Sequence, residues 1–404
     1  MSSVTWPIRP LGKCAKFLSG GTPDKARAEL WEGDIPWVSS GEMTELRIYD
    51  TSLHISEEGA REGSKLVPEN TVLAVVRGMS LAKEFRVSIT MREVAFNQDL
   101  KAFVCEPDVD AGFLFYALLS RQHHIRELAT EASHGTKRLE TDVLSGLGIP
   151  LPKSKDIQRR VVAVLSAYDD LIENNRRRMA LLEEAARQLY REWFVRLRFP
   201  GHEHTRITNG VPEGWNKTNA LEAMNVLSGG TPKTTVPDYW DGDIPFYTPK
   251  DANEHCYVLE TERSITEAGL KNCNSRLYAT DTLFISARGT VGKLNLAYRP
   301  MAMSQSCYAL VGKSHISQHF LYCALQESID YLKQHAGGSV FDAIIVDTFK
   351  LIPFMVPDGK NVRLFEESAT PMFRQVGNLQ EQNQKVRIAR DLLLPRLMSG
   401  EIPV

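Results

Sequence analysis

From residue 155 to residue 196 the chain contains neither glycine nor proline, and from Tyr168 onward its apolar positions step by alternating fours and threes. Tyr168, Ile172, Met179, Leu182, Ala186, Leu189 and Trp193 make a heptad seam, broken by one polar position, Asn175. Such a seam predicts a long helix that buries its stripe against a partner helix. A second stretch, 361–398, carries Phe365, Ala369, Met372, Val376, Leu379, Asn383 and Val386, after which its phase shifts toward Ile388, Leu392 and Leu393. Elsewhere the pattern shortens to β-rich runs, such as 71–76 and 282–286, set between Gly/Pro turns, with helical patches at 111–129 and 318–334. The fold class is therefore α+β, with mixed α/β globules alternating with long helices.

The same order is written twice. Leu18-Ser19-Gly20-Gly21-Thr22-Pro23 recurs as Leu227-Ser228-Gly229-Gly230-Thr231-Pro232, and Gly33-Asp34-Ile35-Pro36-Trp37 is answered by Gly242-Asp243-Ile244-Pro245-Phe246. Arg77-Gly78 is answered by Arg288-Gly289, Gln98 by Gln305, and Leu151-Pro152 by Val356-Pro357. The predicted domains are 1–150, a helix at 151–199, a second globule at 200–355 and a closing helix at 356–404.

Charge and cysteine usage narrow the picture. Lys plus Arg total 48 against 50 Asp plus Glu, so any nucleic-acid surface must be local. Six scattered cysteines without a CxxC pair, and a start without an apolar signal core, point to a reducing, cytoplasmic setting. Apolar runs break well short of about 18 residues, which argues against a membrane span.

Catalytic motifs fail. Gly289-Thr290-Val291-Gly292-Lys293 resembles the end of a phosphate loop, but Leu294 stands where Ser or Thr should hold magnesium. His202-Glu203-His204 and His123-His124 lack metal-ligand spacing, and no nucleophile elbow or dinucleotide fingerprint occurs. No catalytic and no metal residue is assigned.

What repeats is polar turn chemistry and cations. The glycines of the repeated turn permit positive φ and close backbone approach. Two readings stand: a structural turn, or amides of Gly21 and Gly230 with the hydroxyls of Thr22 and Thr231 facing a phosphate backbone. Arg77 and Arg288 each leave a strand-like run at a glycine, a placement suited to bidentate contact with phosphate or guanine. Lys83 and Arg86 follow in the first copy and Lys293 in the second, with Lys25, Lys233 and Lys250 as weaker candidates. Arg176-Arg177-Arg178 reads as an exposed helix face or a contact for phosphate or an acidic partner.

The duplicated LSGGTP, the GDIPW and GDIPF boxes, ISARGTVGK, and the closing GNLQEQNQKVRIARDLLLPRLMSGEI together resemble the DNA-specificity subunit of type I restriction-modification systems, over essentially the whole length. The first copy departs from the family pattern with VVRGMSLAKEF and NQDLKAF. The resemblance implies two target-recognition domains, each reading one half of a bipartite, asymmetric double-stranded DNA target, and two helices packed antiparallel as a coiled coil. It implies no activity in this chain. Two methyltransferase subunits using S-adenosylmethionine, and two restriction/translocase subunits using ATP and Mg, would carry the cofactors. The competing class is a non-catalytic protein-interaction scaffold with duplicated domains. An antiparallel pairing about a pseudo-twofold axis brings Asn175 and Asn383 together, where they would fix the register of the helix pair.

Overall fold

The structure, a computed structural model, describes residues 6–132, 135–289, 291–335 and 344–404. The chain divides into two compact units, Met1–Leu171 with Val386–Val404, and Ile172–Lys385. Both divisions fall inside long helices, so each unit holds one globule and a stretch of both helices.

In the first unit a five-stranded sheet is built from β1 (Ala15–Ser19), β2 (Arg47–Ile48), β3 (Val72–Val75), β5 (Val87–Thr90) and β6 (Leu100–Cys105). A two-residue strand, β4 (Arg77–Gly78), follows β3. The spatial order is β1-β6-β3-β5-β2, antiparallel except for the last pair. One face packs on α1 (Ala111–Leu119), on Val161 and Leu165 of α2 (Lys155–Tyr190), and on Leu394, Leu397 and Met398 near the chain's end. β3 is buried at every position because both its faces are covered. The small edge strands β7 (Thr130–Glu131) and β8 (Lys137–Arg138) join β4.

The second unit repeats this plan. β9 (Met224–Ser228), β10 (Tyr257–Val258), β11 (Leu283–Ser286), β12 (Leu294–Ala297) and β13 (Cys307–Gly312) form a sheet of order β9-β13-β11-β12-β10, with the same single parallel pair at the same edge. α3 (Gln318–His335) takes the place of α1, and α4 (Gly359–Ser399) is the closing helix. The internal repeat of the sequence is thus a repeat of fold.

The long helices run antiparallel. In the second unit Asn175 meets Asn383 while Tyr190, further along α2, meets Phe365, earlier on α4. Asn175 is fully buried, and its Nδ2 donates to Gln382 Oε1 and Asn383 Oδ1, both at 2.9 Å. Asn383 Nδ2 donates in turn to the carbonyl of Ile172 at 3.2 Å. In the first unit Asp169 meets Arg390, in the same sense.

Three details correct the predicted seams. The buried position of α2 beside Tyr168 is Asp169, only half-exposed Tyr168 having been expected there. Its Oδ1 accepts from Arg390 Nη1 at 2.6 Å and its Oδ2 from the Tyr116 hydroxyl at 2.5 Å. On α4 the phase shift goes to Arg390, Leu394 and Leu397, whereas Ile388 and Leu392 are exposed and Leu393 half-buried. Pairing Arg390 to Asp169 sets which face turns inward. Toward its end α2 buries Tyr190 and Phe194 where Leu189 and Trp193 were expected, and beyond Tyr190 it loosens into a π turn, Arg191–Val195.

Each globule is joined to its helices differently. In the first unit Arg47 on β2 pairs with Asp170, next to the Tyr116–Asp169 bond. In the second, Gly377 of α4 leaves room for a ring: a Cβ there would stand 2.6 Å from Cε2 of Tyr298. The Tyr298 hydroxyl donates to Glu381 at 3.1 Å, and Gln380 Nε2 donates to the Tyr257 carbonyl at 3.0 Å.

Also in the second unit, buried His319 lies flat on Phe373, its Nδ1 3.0 Å from Glu366. Burial alone would raise the Glu366 carboxyl, but the bond and charge of His319 outweigh it and hold it at about 2, against an ordinary 4.5. A depressed carboxyl stabilises the fold above its unfolded value and loses that contribution as pH falls through its folded value. Glu366→Gln should therefore cost up to roughly 3 kcal/mol at pH 7, a gap that narrows below about pH 4.5 and closes toward pH 2. Urea midpoints of both proteins at pH 7 and pH 3 measure it; an equal gap at the two pH values would refute the assignment.

Candidate nucleic-acid interface

The repeated turn is built by close backbone approach. A Cβ at Gly20 would fall 2.1 Å from the Phe96 carbonyl oxygen, and one at Gly229 2.3 Å from that of Ser304, so neither position admits a side chain. None of the four turn glycines has a positive φ, contrary to one half of the expectation. The amides of the second glycine in each turn are already engaged: Gly21 N donates to Phe96 O at 3.0 Å and Gly230 N to Met303 O at 3.1 Å. The Gly21 carbonyl accepts from Trp37 Nε1 at 3.1 Å. Thr22 donates to Gln98 Oε1 at 2.6 Å, and Thr231 bonds Gln305 in the same way. The paired glutamines of the sequence thus find their reason: each anchors a turn threonine. This corrects the reading of free amides facing phosphate, since backbone carbonyls occupy them first.

The cations fall into two groups. Arg86 pairs with Glu84 at 2.6 Å, Lys250 with Glu262 at 3.7 Å, and Lys293 with Glu254. Exposed pairs of this kind hold their side chains only weakly, so a phosphate could still recruit them. Arg77, Lys83, Lys25, Lys233 and Arg288 are exposed and have no ion-pair partner among the described residues. Lys83 closes the short helix Ser80–Lys83, whose last carbonyl accepts from Arg126 Nη1 at 3.0 Å. Thr290, in the 289–293 run, lies outside the described residues. Of the triple-arginine run, Arg177 pairs with Glu173 on its own helix at 2.9 Å.

In the first unit the structure brings Arg77 beside residues that no sequence pattern links to it. Arg138 of β8 stands opposite Arg77, and Lys137 opposite Gly78. In the second unit Arg263 lies over the Trp240 ring, 3.4 Å from its centroid. Both arrangements depend on strand pairing across long stretches of chain and leave no local periodicity to read.

Among the described residues no group of His, Cys, Asp and Glu could hold a metal ion, and no helix is long and apolar enough to cross a membrane. All six cysteines are unpaired, and burial pushes the Cys14 thiol up to about 11.

Comparison with known proteins agrees with this arrangement. The type I restriction modification DNA specificity domain matches twice, over residues 3–184 and 212–364. The type I restriction enzyme MjaIX specificity subunit of Methanocaldococcus jannaschii is 24% identical over 413 residues, covering 99% of this chain and 94% of that protein. The HindI specificity subunit of Haemophilus influenzae is 21% identical over 369 residues, covering 75% and 80%. The crystal structure of the S subunit of the type I restriction-modification system of M. genitalium superposes with a TM-score of 0.60 at 18% identity, over 98% of this chain and 97% of that one, which supports the fold. Two family matches fall on two copies of one fold, and the chain belongs to the type I restriction modification DNA specificity family.

Proposed function

We propose that each domain reads one half of a bipartite, asymmetric DNA target, and that the helices set the spacing of the half-sites and recruit the other subunits. The observation that carries this reading is one domain fold present twice: Arg77-Gly78 and Arg288-Gly289 recur, whereas the sequences that follow them, Met79-Ser80-Leu81-Ala82-Lys83 and Thr290-Val291-Gly292-Lys293, differ. A shared framework with divergent surface chemistry suits two reading heads for two sequences. Phosphate contacts would supply register and affinity, and a few side chains at base edges would supply selection.

In this reading the chain itself is non-catalytic and works in the cytoplasm. Two methyltransferase subunits would bring S-adenosylmethionine, and two restriction/translocase subunits ATP and Mg. Domain exchange tests the modular claim. Replacing residues 1–150 with the matching domain of another specificity subunit, in the assembled methyltransferase, should alter one half-site and leave the other intact, as read by methylation mapping. Joint change of both halves would refute it. The isolated chain should neither methylate DNA nor hydrolyse ATP.

A further inference from the structure

The pairing of β4 with β8 sets two arginines opposite each other. Arg77 and Arg138 are direct cross-strand partners, and both are exposed. Directly opposed residues of an antiparallel pair share a face about 5 Å apart, where like charges destabilise. Some relief comes from Glu140, 3.1 Å from Arg138, but Arg77 has no acidic partner among the described residues. The pair is nonetheless pinned. Leu139, next to Arg138, is buried and donates its amide to the carbonyl of Val76, next to Arg77, at 2.8 Å. Gly78, opposite Lys137, has a φ of +130°, a conformation that side-chain-bearing residues rarely adopt, and Met79 after it is 72% exposed.

The second unit shows which part of this is shared. There the amide of Ile344 donates to the carbonyl of Ala287 at 2.9 Å, the same tie one residue before Arg288. Counting back from the tied residues, the sequence reads Lys137-Arg138 in the first copy and Asp342-Ala343 in the second, the latter two lying outside the described residues. The arginine next to the tie is common to both copies, whereas the two residues that precede the tied leucine and isoleucine in sequence are not.

We infer that Arg77 is a phosphate anchor and that Lys137 and Arg138 are specificity-determining residues of the first domain, reading base edges of its half-site. The inference rests on the DNA-reading function proposed above. A ligand that is itself an array of negative charge turns the repulsion at this edge into attraction. A guanidinium fork suits both phosphate oxygens and the O6/N7 edge of guanine, and the exposed Met79 can lie against sugar or a thymine methyl.

The test uses the assembled methyltransferase with its full target duplex. Arg138→Ala should lower affinity for the target by roughly tenfold to a hundredfold and relax selection at positions of the first half-site only. Arg77→Ala should weaken binding to target and non-target duplexes alike and reduce the slope of log affinity against log salt by about one. Its thermal midpoint should stay unchanged or rise, because a like-charge pair is relieved; a purely structural arginine would lower it. Should Arg138→Ala fold poorly, Arg138→Lys decides, since it keeps the charge and loses the fork: it should retain non-target affinity and lose discrimination. Wild-type discrimination in Arg138→Lys, or a wild-type salt slope in Arg77→Ala, overturns the inference while leaving domain exchange as a separate test of the underlying reading. If exchange of residues 1–150 leaves both half-sites unchanged, it is that reading that falls.

Discussion

Arg390→Met should destabilise the first unit by about 3–5 kcal/mol, because it strands Asp169 as a buried charge without its partner. The pair is 2.6 Å long, with side chains 8% and 6% exposed. Burial works against the Arg390 charge, and Asp169 with Asp391 more than offsets it, raising the guanidinium above its ordinary value. The loss comes mainly from the carboxylate left behind. Removing the carboxylate, the guanidinium and the Tyr116 hydroxyl together, as Asp169→Leu, Arg390→Met and Tyr116→Phe, should recover most of it, since apolar groups of similar volume replace a buried ion pair at little cost. Denaturant unfolding of the single and triple variants measures both. A cost for Arg390→Met below about 1 kcal/mol would mean that the pair behaves like an exposed one.

Asn383→Leu should cost about 1–3 kcal/mol, because one acceptor of the fully buried Asn175 amide disappears and nothing apolar can replace it. The double variant, Asn175→Leu with Asn383→Leu, should behave differently. It completes an apolar seam, so its stability should match or exceed that of the wild type, while the reason for a single register is lost. Spin labels on α2 and α4 within the second unit should give one distance in the wild type and a broad or split distribution in the double variant. A single unchanged distance would show that apolar packing alone fixes the register.

The helices and the repeat were legible because each leaves a periodic trace: a heptad seam, and a string of motifs in the same order. The contact between Asn175 and Asn383 was legible for the same reason, since both stand out as polar positions in apolar stripes. Asp169 was not, because a charge one step from a seam reads as solvent-facing unless its partner is known, and Arg390 lies 221 residues away. That partner also explains why Ile388 and Leu392 turn outward. The repeated turn was visible as a motif but not as a mechanism. Its glycines answer to the carbonyls of Phe96 and Ser304, and its threonines to Gln98 and Gln305, contacts set by sheet pairing rather than by neighbours in sequence. Lys137 and Arg138 escaped notice because only the β4–β8 pairing places them beside Arg77.

The unlike joints of the two globules bear on how such a chain can change over generations. The first globule is fastened by Arg47 and Tyr116 to the consecutive carboxylates Asp170 and Asp169, the second by Tyr298 at the gap left by Gly377. A gene segment arriving by recombination must encode the matching half of its lock. A domain with arginine and tyrosine at the first pair of positions can be inherited before α2; the same domain placed before α4 would meet a glycine and no acid at the place of Asp169. A domain moved within its own slot should therefore dock onto its helix with less loss of stability than the same domain moved to the other slot.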